Sequence, residues 1–254
     1  MRKIRRLALI FTALLPGFLK RPILRHIFGY RIGRNVRIGM ALLDCRSLSI
    51  GDNTRIGGGV VFIGCGDVSI GANVNLGFLN VFRGANITLG DYCTILRLNL
   101  FNAIAPLDPN EKRNSVLEVG FGTIITAEHR IDCTDLVRIG KNSILGGRNS
   151  SIWTHLRHSG LPVTVGDFCY IGSEVRLTPG CTIPSCSVLG IGSVVTKPLT
   201  EEFCLYAGAP AHRIRPLGPE DYDLIFLKTR PDLPDQQLPE VPVAEAQSAK
   251  GVKP

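Results

Sequence analysis

The sequence lacks several features that would each indicate a particular class of protein. No apolar run approaches the roughly 20 residues of a bilayer-spanning helix, which argues against an ordinary transmembrane protein. The eight cysteines, from Cys45 to Cys204, show no C-x-x-C and no paired spacing, so small buried thiols in a reducing compartment are favoured over a disulfide framework. The 28 glycines follow no three-residue period, which excludes collagen.

Acidic residues are missing from the first 43 positions. The net charge is +8, but this segment alone carries +10, so the remaining residues sum to −2. A generally basic nucleic-acid-binding protein is therefore excluded, and no nucleic-acid partner is predicted. The basic residues of the segment are Arg2, Lys3, Arg5, Arg6, Lys20, Arg21, Arg25, Arg31, Arg34 and Arg37.

The two ends of the chain have distinct compositions. Residues 1–28 predict a short helix broken near Pro16 and a second helix near Ile23–Phe28, with no small-residue cleavage site after the apolar core. Basic and apolar residues side by side suit the surface of an anionic membrane, although packing on the main domain or on another subunit explains the pattern equally well. Residues 231–254, rich in Pro, Gln, Glu and Ala, predict a disordered tail.

The middle of the chain repeats a short phrase: an aliphatic residue, usually Gly, two variable residues and a small one. The aliphatic positions are spaced 18, 20, 19, 30, 20, 26 and 18 residues apart, so the underlying period is 18 with insertions. The phrase starts at Ile32, Ile50, Ile70, Leu89, Val119, Ile139, Val165 and Ile183.

A period of six lies within these repeats, as in Val165, Ile171, Leu177, Ile183 and Leu189. Three six-residue units per turn predict a triangular coil, with the aliphatic residue pointing inward, Gly or Asn at the corner and the small residue in the crowded interior. Successive coils stack by parallel strand pairing. Three of the cysteines fall on the small interior position: Cys93, Cys169 and Cys181.

The C-terminal coils carry phrases that identify a family. In order they read Val165-Gly-Asp-Phe-Cys-Tyr-Ile-Gly, Leu189-Gly-Ile-Gly-Ser-Val-Val-Thr-Lys and Leu205-Tyr-Ala-Gly-Ala-Pro-Ala-His-Arg-Ile-Arg. Over about residues 30–217 the chain resembles the hexapeptide-repeat acyltransferases, in particular their sugar O-acetyltransferase branch. The resemblance implies an all-β, left-handed parallel β-helix, a homotrimer with sites between adjacent prisms, and transfer of an acetyl group from acetyl-CoA to a sugar hydroxyl.

This resemblance divides the chain into four parts. They are a basic amphipathic leader (1–31), the β-helix (32–198) with loops near 101–115 and 150–162, a C-terminal segment that completes the coenzyme A site (199–230) and the tail (231–254). The acceptor is expected in cell-surface polysaccharide biosynthesis, on a sugar or lipid-linked glycan. The location is expected to be cytoplasmic, with peripheral association with the inner face of the membrane through residues 1–28.

The family's catalytic histidine falls in the segment Ser150-Ser-Ile-Trp-Thr-His-Leu-Arg-His158. The Thr154-His155 pair resembles the family's Thr-His, so His155 is the predicted general base, with His158 as its competitor. A neutral imidazole would take the proton of the attacking hydroxyl. A backbone N–H near Gly172–Ser173 is the family-like donor to the oxyanion. The group that fixes the other ring nitrogen is not identifiable from sequence.

By the same resemblance, coenzyme A would contact residues of the last coils. Tyr170 replaces a common Trp at the thiol end, and two departures, His212 and Pro198, leave the nucleotide contacts open. The predicted contacts are Tyr170, Gly172, Ser173, Ile191, Gly192, Thr196, Lys197, Pro210 and Arg215.

The acceptor pocket is less clear from the sequence. Glu128 and His129 lie one coil before His155 and are candidates for it, together with His158. The polar insertion Asn102–Asn114, with two prolines, predicts a protruding loop.

Three other functions compete with this prediction. A serine or other small-molecule acetyltransferase of the same fold is one, although no large N-terminal helical domain is evident. A non-catalytic β-helix scaffold is the second, and the Thr-His and Thr-Lys phrases argue against it. A γ-class carbonic anhydrase needs three zinc-binding histidines from neighbouring coils, which His155 and His158 do not provide in spacing, so no metal is predicted.

Overall fold

The repeats form stacked triangular coils. The computed structural model describes residues 2–105, 113–156, 159–226, 233–234 and 238–240. The coils make a parallel β-solenoid of about eight turns, which confirms the predicted left-handed parallel β-helix. Most of the predicted tail and the middle of the insertion Asn102–Asn114 lie outside the described residues.

The described residues contain 24 strands, most of them two to five residues long. In chain order, β1 to β24 are Arg31–Ile32, Arg37–Ile38, Leu42–Ile50, Arg55–Ile56, Val61–Ile70, Asn75–Leu76, Val81–Arg83, Asn86–Leu89, Thr94–Arg97, Leu100–Asn102, Val116–Val119, Ile124–Ala127, Arg130–Asp132, Val137–Ile139, Ile144–Arg148, Ser151–Ile152, Val163–Val165, Tyr170–Ile171, Arg176–Leu177, Thr182–Ile183, Val188–Leu189, Val194–Val195, Cys204–Gly208 and Ala211–Pro216.

The strands line three faces of a prism. Face 1 contains β1, β8, β11, β14, β17 and β20, and face 3 contains β7, β10, β13, β16, β19 and β22. The long strands β3 and β5 run from face 3 into face 1 and join them into one 14-stranded sheet. Face 2 is the second, 10-stranded sheet, formed by β2, β4, β6, β9, β12, β15, β18, β21 and β23, with β24 antiparallel at its end.

Two corners of the prism position the candidate site residues. The 2–3 corner is where the chain turns from face 2 into face 3, as at residues 77–80, 147–150 and 172–175. The 3–1 corner is where it turns from face 3 into face 1, as at residues 103–115 and 153–162. These corners lie at opposite edges of face 3.

The repeated phrase divides its tasks among its positions. The fourth residue takes the left-handed corner, as at Asn53 with φ +60° and at Phe168 with φ +54°, so aromatic residues also occupy it. The second residue is Gly because coils approach closely there: a Cβ on Gly140 would lie 2.5 Å from the Gly166 carbonyl carbon. The small fifth residue is buried, and Ser143 Oγ donates to the Gly166 carbonyl at 2.8 Å.

The core is a column of inward side chains repeated in every coil. On face 3, the rings of Phe62, Phe82 and Phe101 stack with centroids 4.4 and 4.5 Å apart and nearly parallel planes. Stacked, fully buried rings add to the hydrophobic stabilisation of each coil by the next. All eight cysteines are free and buried, in agreement with the prediction of small buried thiols.

Two helices cover the N-terminal coils, α1 (Arg2–Leu14) and α2 (Gly17–His26). The break at Pro16 is confirmed, but α2 begins at Gly17 rather than near Ile23 and contains Pro22. Leu24 is buried against the body and Lys20 Nζ donates to the Gly39 carbonyl at 2.5 Å, and these contacts hold the helix despite the proline. Within the described part of the chain, no helix has the length and apolarity to cross a bilayer.

The C-terminal end is closed by the β23–β24 hairpin, a 3-10 turn (Pro219–Asp221) and α3 (Tyr222–Ile225). A small apolar cluster, separate from the main core, joins this end to the last coils. Its buried members are Cys186, Val188, Leu217 and Ile225, with partly buried aromatic residues such as Tyr170 and Phe226 packed on them.

Candidate active site

Two insertions leave the coils at the same 3–1 corner. The first, residues 103–115, follows β10, and the second, residues 153–162, follows β16. Strand β13 lies between β10 and β16, and the Ile104 N–H donates to Thr134 Oγ1, just past β13, at 2.9 Å. The base of the first loop therefore contacts the coil on which the second loop rests. The candidate His158 lies outside the described residues.

The second loop holds His155 against a carboxylate. His155 Nδ1 lies 2.7 Å from Asp132 Oδ2, and the His155 backbone N–H donates to the same oxygen at 3.0 Å. Because an ionised carboxylate only accepts hydrogen bonds, the neutral imidazole carries its proton on Nδ1 and leaves Nε2 free to accept one. The side chain of His155 is 31% exposed, so this ring nitrogen is accessible to a small hydroxyl compound.

Asp132 is buried and kept ionised by its hydrogen bonds. Burial alone would raise the pKa of Asp132, but donors from Thr134, from His155 and from the Thr154 backbone outweigh it and lower the pKa. The Thr134 hydroxyl and N–H bind Oδ1, and the Thr154 N–H binds Oδ2 at 3.0 Å. A carboxylate held from both sides in this way fixes the orientation of the imidazole.

A shallow cavity of about 130 Å³ opens beside this pair. Trp153 is 44% exposed, and its ring meets that of His155 edge-on, with centroids 5.9 Å apart. Arg130 is exposed and forms no ion pair with a described residue. The lining combines apolar and polar groups: Leu100, Asn102, Ile104, Arg130, Ile131, Asp132, Ile152 and Trp153.

His129 does not face this cavity. It is fully buried, and its Nδ1 accepts a hydrogen bond from the Ser150 N–H at 3.1 Å. The proton therefore sits on Nε2 and is donated to Thr126 Oγ1 at 3.0 Å. Burial lowers the pKa of His129 to about 4, against a smaller raising effect of a hydrogen bond with the Leu145 backbone. The prediction of an acceptor contact by His129 is wrong, because both ring nitrogens are occupied inside the coil.

Four of the nine predicted coenzyme A residues lie at the other edge of face 3, and Tyr170 lies on the adjoining face 2. Ile191 is 73% exposed at the 2–3 corner, and the following Gly192 has φ +72° with open space around it. Within one chain, the structure therefore brings His155 together with Asp132 and Trp153 but separates it from these residues. The separated candidates are Tyr170 in β18 and, in the turns after β18 and β21, Gly172, Ser173, Ile191 and Gly192.

Glu128 is also at the 2–3 corner, half-buried and with φ +62°. The Gly172 N–H donates to the Leu189 carbonyl at 2.8 Å, so it is already engaged between coils. Of the two predicted oxyanion donors, the Ser173 N–H is the one that remains. A Cβ added to Gly147 would collide with the side-chain oxygen of Ser173, so this corner is tightly packed.

Four predicted nucleotide contacts are near the C-terminal end. Thr196 and Lys197 are exposed at the 3–1 corner, two coils beyond His155. Pro210 is exposed in the turn of the β23–β24 hairpin. Arg215 is engaged within the chain, since its guanidinium binds the carboxylate of Asp221 with a second contact at 3.0 Å. Lys197 is thus the exposed cation of this group, without an ion-pair partner among the described residues.

Comparison with known proteins adds an independent observation. No family model matches the chain. Over 110 residues it is 33% identical to "Galactoside O-acetyltransferase" of Escherichia coli. This match covers 42% of the present chain and 54% of that protein. It is 30% identical over 162 residues to a "Putative acetyltransferase" of Saccharomyces cerevisiae, which covers 50% of this chain and 82% of that protein. The chain belongs to the hexapeptide-repeat acyltransferase family.

The extent of these matches differs among relatives. The chain spans about half the length of the Escherichia coli protein and of a Schizosaccharomyces pombe relative, at 54% and 55%. Among solved structures, a Campylobacter jejuni UDP-N-acetylglucosamine acyltransferase is 19% identical with a TM-score of 0.48, covering 82% of each chain. A polysialic acid O-acetyltransferase is 19% identical with a TM-score of 0.44, covering 74% of this chain and 88% of that one.

Asp132 is the site residue that sequence reasoning missed. One signal was present: β13 pairs with β16 in a register that matches Arg130 with Ser151 and Ile131 with Ile152, so Asp132 falls opposite Trp153. To predict this register from the sequence, one must know that the extra residues 153–162 follow β16 and do not precede it. Within the described residues, no group of three His, Cys, Asp or Glu side chains is placed to hold a metal ion.

Proposed function

We propose that this protein is an O-acetyltransferase that moves an acetyl group from acetyl-CoA to a hydroxyl of a sugar. The observation that carries the proposal is the His155–Asp132 pair, with Nδ1 held at 2.7 Å and Nε2 directed away from the carboxylate. The name of the Escherichia coli relative, galactoside O-acetyltransferase, supports both the reaction and the acceptor class.

In the proposed reaction, His155 acts as the general base. Nε2 takes the proton of the acceptor hydroxyl while the oxygen attacks the thioester carbonyl, which creates a C–O bond and a tetrahedral oxyanion. The anionic Asp132 stabilises the imidazolium that forms. As the intermediate collapses, the C–S bond breaks and the imidazolium returns its proton to the departing thiolate. The products are an acetyl ester and free coenzyme A.

The cavity next to His155 suits the acceptor. Aromatic side chains commonly line ligand pockets, and Trp153 offers a half-exposed ring against which a sugar ring can pack. The guanidinium of Arg130 and the amide of Asn102 then provide donors for neighbouring hydroxyl oxygens. Because Arg130 has no ion-pair partner among the described residues, it also favours sugars that carry a negative charge close to the reacting hydroxyl.

The acetyl-CoA site is proposed between two copies of the chain in a homotrimer. The 2–3 corner and Tyr170 on face 2 are separated from His155 of the same chain by the width of face 3. A neighbouring copy would therefore supply these coenzyme A residues to His155. Residues 199–230 would complete the nucleotide end. The same corner exposes an apolar ridge that an adjacent prism would cover; its members are Met40, Phe78, Leu79, Leu96 and Leu98.

We further infer that the natural acceptor is a lipid-linked or cell-surface glycan handled on the cytoplasmic side of the membrane. The support is the composition of residues 1–28, in which basic and apolar residues alternate without any acid. Such a segment brings a protein to an anionic surface.

The test is a thiol-release assay with the full-length chain and acetyl-CoA, across galactosides, sialosides and lipid-linked glycans, with the acetyl ester verified by mass spectrometry. We expect release with at least one sugar acceptor and a loss of about 10³-fold in His155→Ala. His26→Ala removes an exposed histidine on α2 and serves as the matched control.

Two results would contradict the proposal. Wild-type-like turnover in His155→Ala would exclude this residue as the base, and loss in His158→Ala alone would move the role to that position. Absence of release with every acceptor, together with absence of coenzyme A binding by calorimetry, would support a non-catalytic scaffold instead.

A further inference from the structure

Helix α1 is more apolar on its outward face than on the face it turns to the protein. Ile4, Phe11 and Leu14 are 73%, 70% and 65% exposed. A helix that simply completed the core would show the opposite arrangement, with its apolar stripe inward. The outward residues are Lys3, Ile4, Leu7, Ala8, Ile10, Phe11 and Leu14.

The inward face holds the helix in this orientation by burying Leu9 in the main core and by ion pairs. Arg5 Nη1 lies 3.1 Å from Asp44 Oδ1 and Arg6 Nη2 lies 2.8 Å from Asp44 Oδ2. Arg5 also donates to the Cys45 carbonyl at 2.7 Å and to the Tyr30 hydroxyl at 3.0 Å. Asp44 is buried, so a helix that rolled over to hide its apolar stripe would leave that carboxylate uncompensated.

Basic groups also line a groove beside the neighbouring helix α2. A groove of about 280 Å³ between α2 and the first coils is lined by Phe18, Arg21 and Arg37 among others. Phe18 is 69% exposed, and neither arginine forms an ion pair with a described residue. Two guanidinium groups beside an exposed aromatic ring, without an acidic partner in the part of the chain that is described, match a phosphate group with an acyl region beneath it.

We propose that the outward stripe of α1, extended by Phe18, inserts shallowly into an anionic lipid bilayer, with the Arg21–Arg37 groove receiving a lipid phosphate. Charge decides between this occupant and a second copy of the chain. Residues 1–43 contain ten basic residues and no acid, so two such segments facing each other would repel, whereas an anionic lipid surface would attract them. The apolar ridge at the 2–3 corner is a separate surface and remains available for contact between copies. The proposal deepens the inferred location and does not depend on the chemistry at His155.

The test is flotation of the full-length protein with vesicles. One set of vesicles is phosphatidylcholine alone, and the other contains equal parts of phosphatidylcholine and phosphatidylglycerol. We expect flotation with the mixed vesicles only, and a decrease of more than about tenfold in the floated fraction for Leu7→Glu/Phe11→Glu, since charges replace two exposed apolar side chains that would enter the bilayer. Arg21→Ala/Arg37→Ala should reduce flotation less and should remove much of its salt dependence.

The matched control is Leu224→Glu, the same type of change on the half-exposed α3 at the other end of the solenoid. It should float like the wild type. Size-exclusion chromatography with light scattering and turnover of a soluble sugar acceptor accompany each variant, and both should be unchanged in Leu7→Glu/Phe11→Glu. A changed oligomeric state in that variant would show that the stripe is an interface between copies. Equal flotation of wild type and variant, or flotation of neither, would also overturn the proposal.

Discussion

The imidazole of His155 and the carboxylate of Asp132 meet at 2.7 Å although 23 positions separate them in the chain. They meet because Asp132 ends β13 and His155 lies just past β16, the strand stacked directly on it. The stacking of coils thus converts a separation of one turn in the sequence into a hydrogen bond, and it places the site at a corner where the chain is free to form a loop.

Replacing Asp132 by Asn tests this relationship. The amide no longer stabilises an imidazolium and can donate to Nδ1, which would put the proton of the neutral ring on Nε2. We expect kcat with acetyl-CoA to fall by about 10²- to 10⁴-fold while KM for acetyl-CoA stays close to the wild-type value. Asp135→Asn, a nearby acid-to-amide change outside the pair, is the control and should keep its activity. Equal kcat in the two variants would contradict the role of Asp132.

Replacing Trp153 by Ala tests the acceptor cavity. The ring contributes an apolar surface against which a sugar can pack, so its loss should raise KM for the acceptor about tenfold. KM for acetyl-CoA should change less, because Trp153 lines the cavity proposed for the acceptor, whereas a neighbouring copy is proposed to hold coenzyme A. Steady-state kinetics with each substrate varied in turn separates the two effects. An increase in KM for acetyl-CoA alone would place the donor, and not the acceptor, at this ring.

Acid should destabilise the fold through His129. Burial lowers its pKa from 6.5 to about 4 in the folded chain, so the unfolded chain binds this proton first as the pH falls. Stability is unaffected above about pH 6.5 and falls progressively as the pH drops to about 4, where the loss amounts to about 3 kcal/mol. Guanidinium unfolding across this range measures the change. His129→Gln, which can accept from Ser150 and donate to Thr126, should show a smaller dependence on pH; an unchanged dependence would assign the effect to other groups.

Subunit mixing tests the shared site. If Tyr170 serves the His155 of a neighbouring copy, His155→Ala and Tyr170→Ala chains should each be weakly active alone and recover activity when refolded together. Leu79→Glu/Leu98→Glu, on the exposed ridge, should lower the mass measured by light scattering and reduce turnover, while far-ultraviolet circular dichroism stays unchanged. Leu224→Glu is again the control. Failure of the mixture to recover activity would mean that one chain contains the whole site.

Much of the fold was predictable because aliphatic and small residues recur at fixed positions of each repeat in the sequence. The aliphatic first position and the small fifth position of each phrase follow from packing inside a triangular coil, and the structure buries both, as at Ile139 and Ser143. The role of Gly was predicted only in part. The left-handed corner falls on the fourth residue, where Asn53 and even Phe168 occur, while Gly140 is needed because the next coil approaches its backbone within van der Waals distance.

The site was less predictable because it depends on which side chains the loops and corners present. His155 could be proposed from its neighbour Thr154, but Asp132 required the strand register. His129 was a weaker candidate, for an acceptor contact, and only the structure shows its ring enclosed between Thr126 and Ser150. Sequence composition likewise indicated that the leader is amphipathic, but not that α1 turns Arg5 and Arg6 toward Asp44 and most of its large apolar side chains outward.

The shared corner of the two insertions has a consequence for how such a chain can change. The coil that starts at Leu89 holds 30 residues and the one that starts at Ile139 holds 26, yet the strands on either side keep their parallel register. Length can therefore be added or removed at this corner without disturbing the stacked core. The loops that border the proposed acceptor cavity can therefore be replaced, while the residues that form the core and pair the strands stay the same.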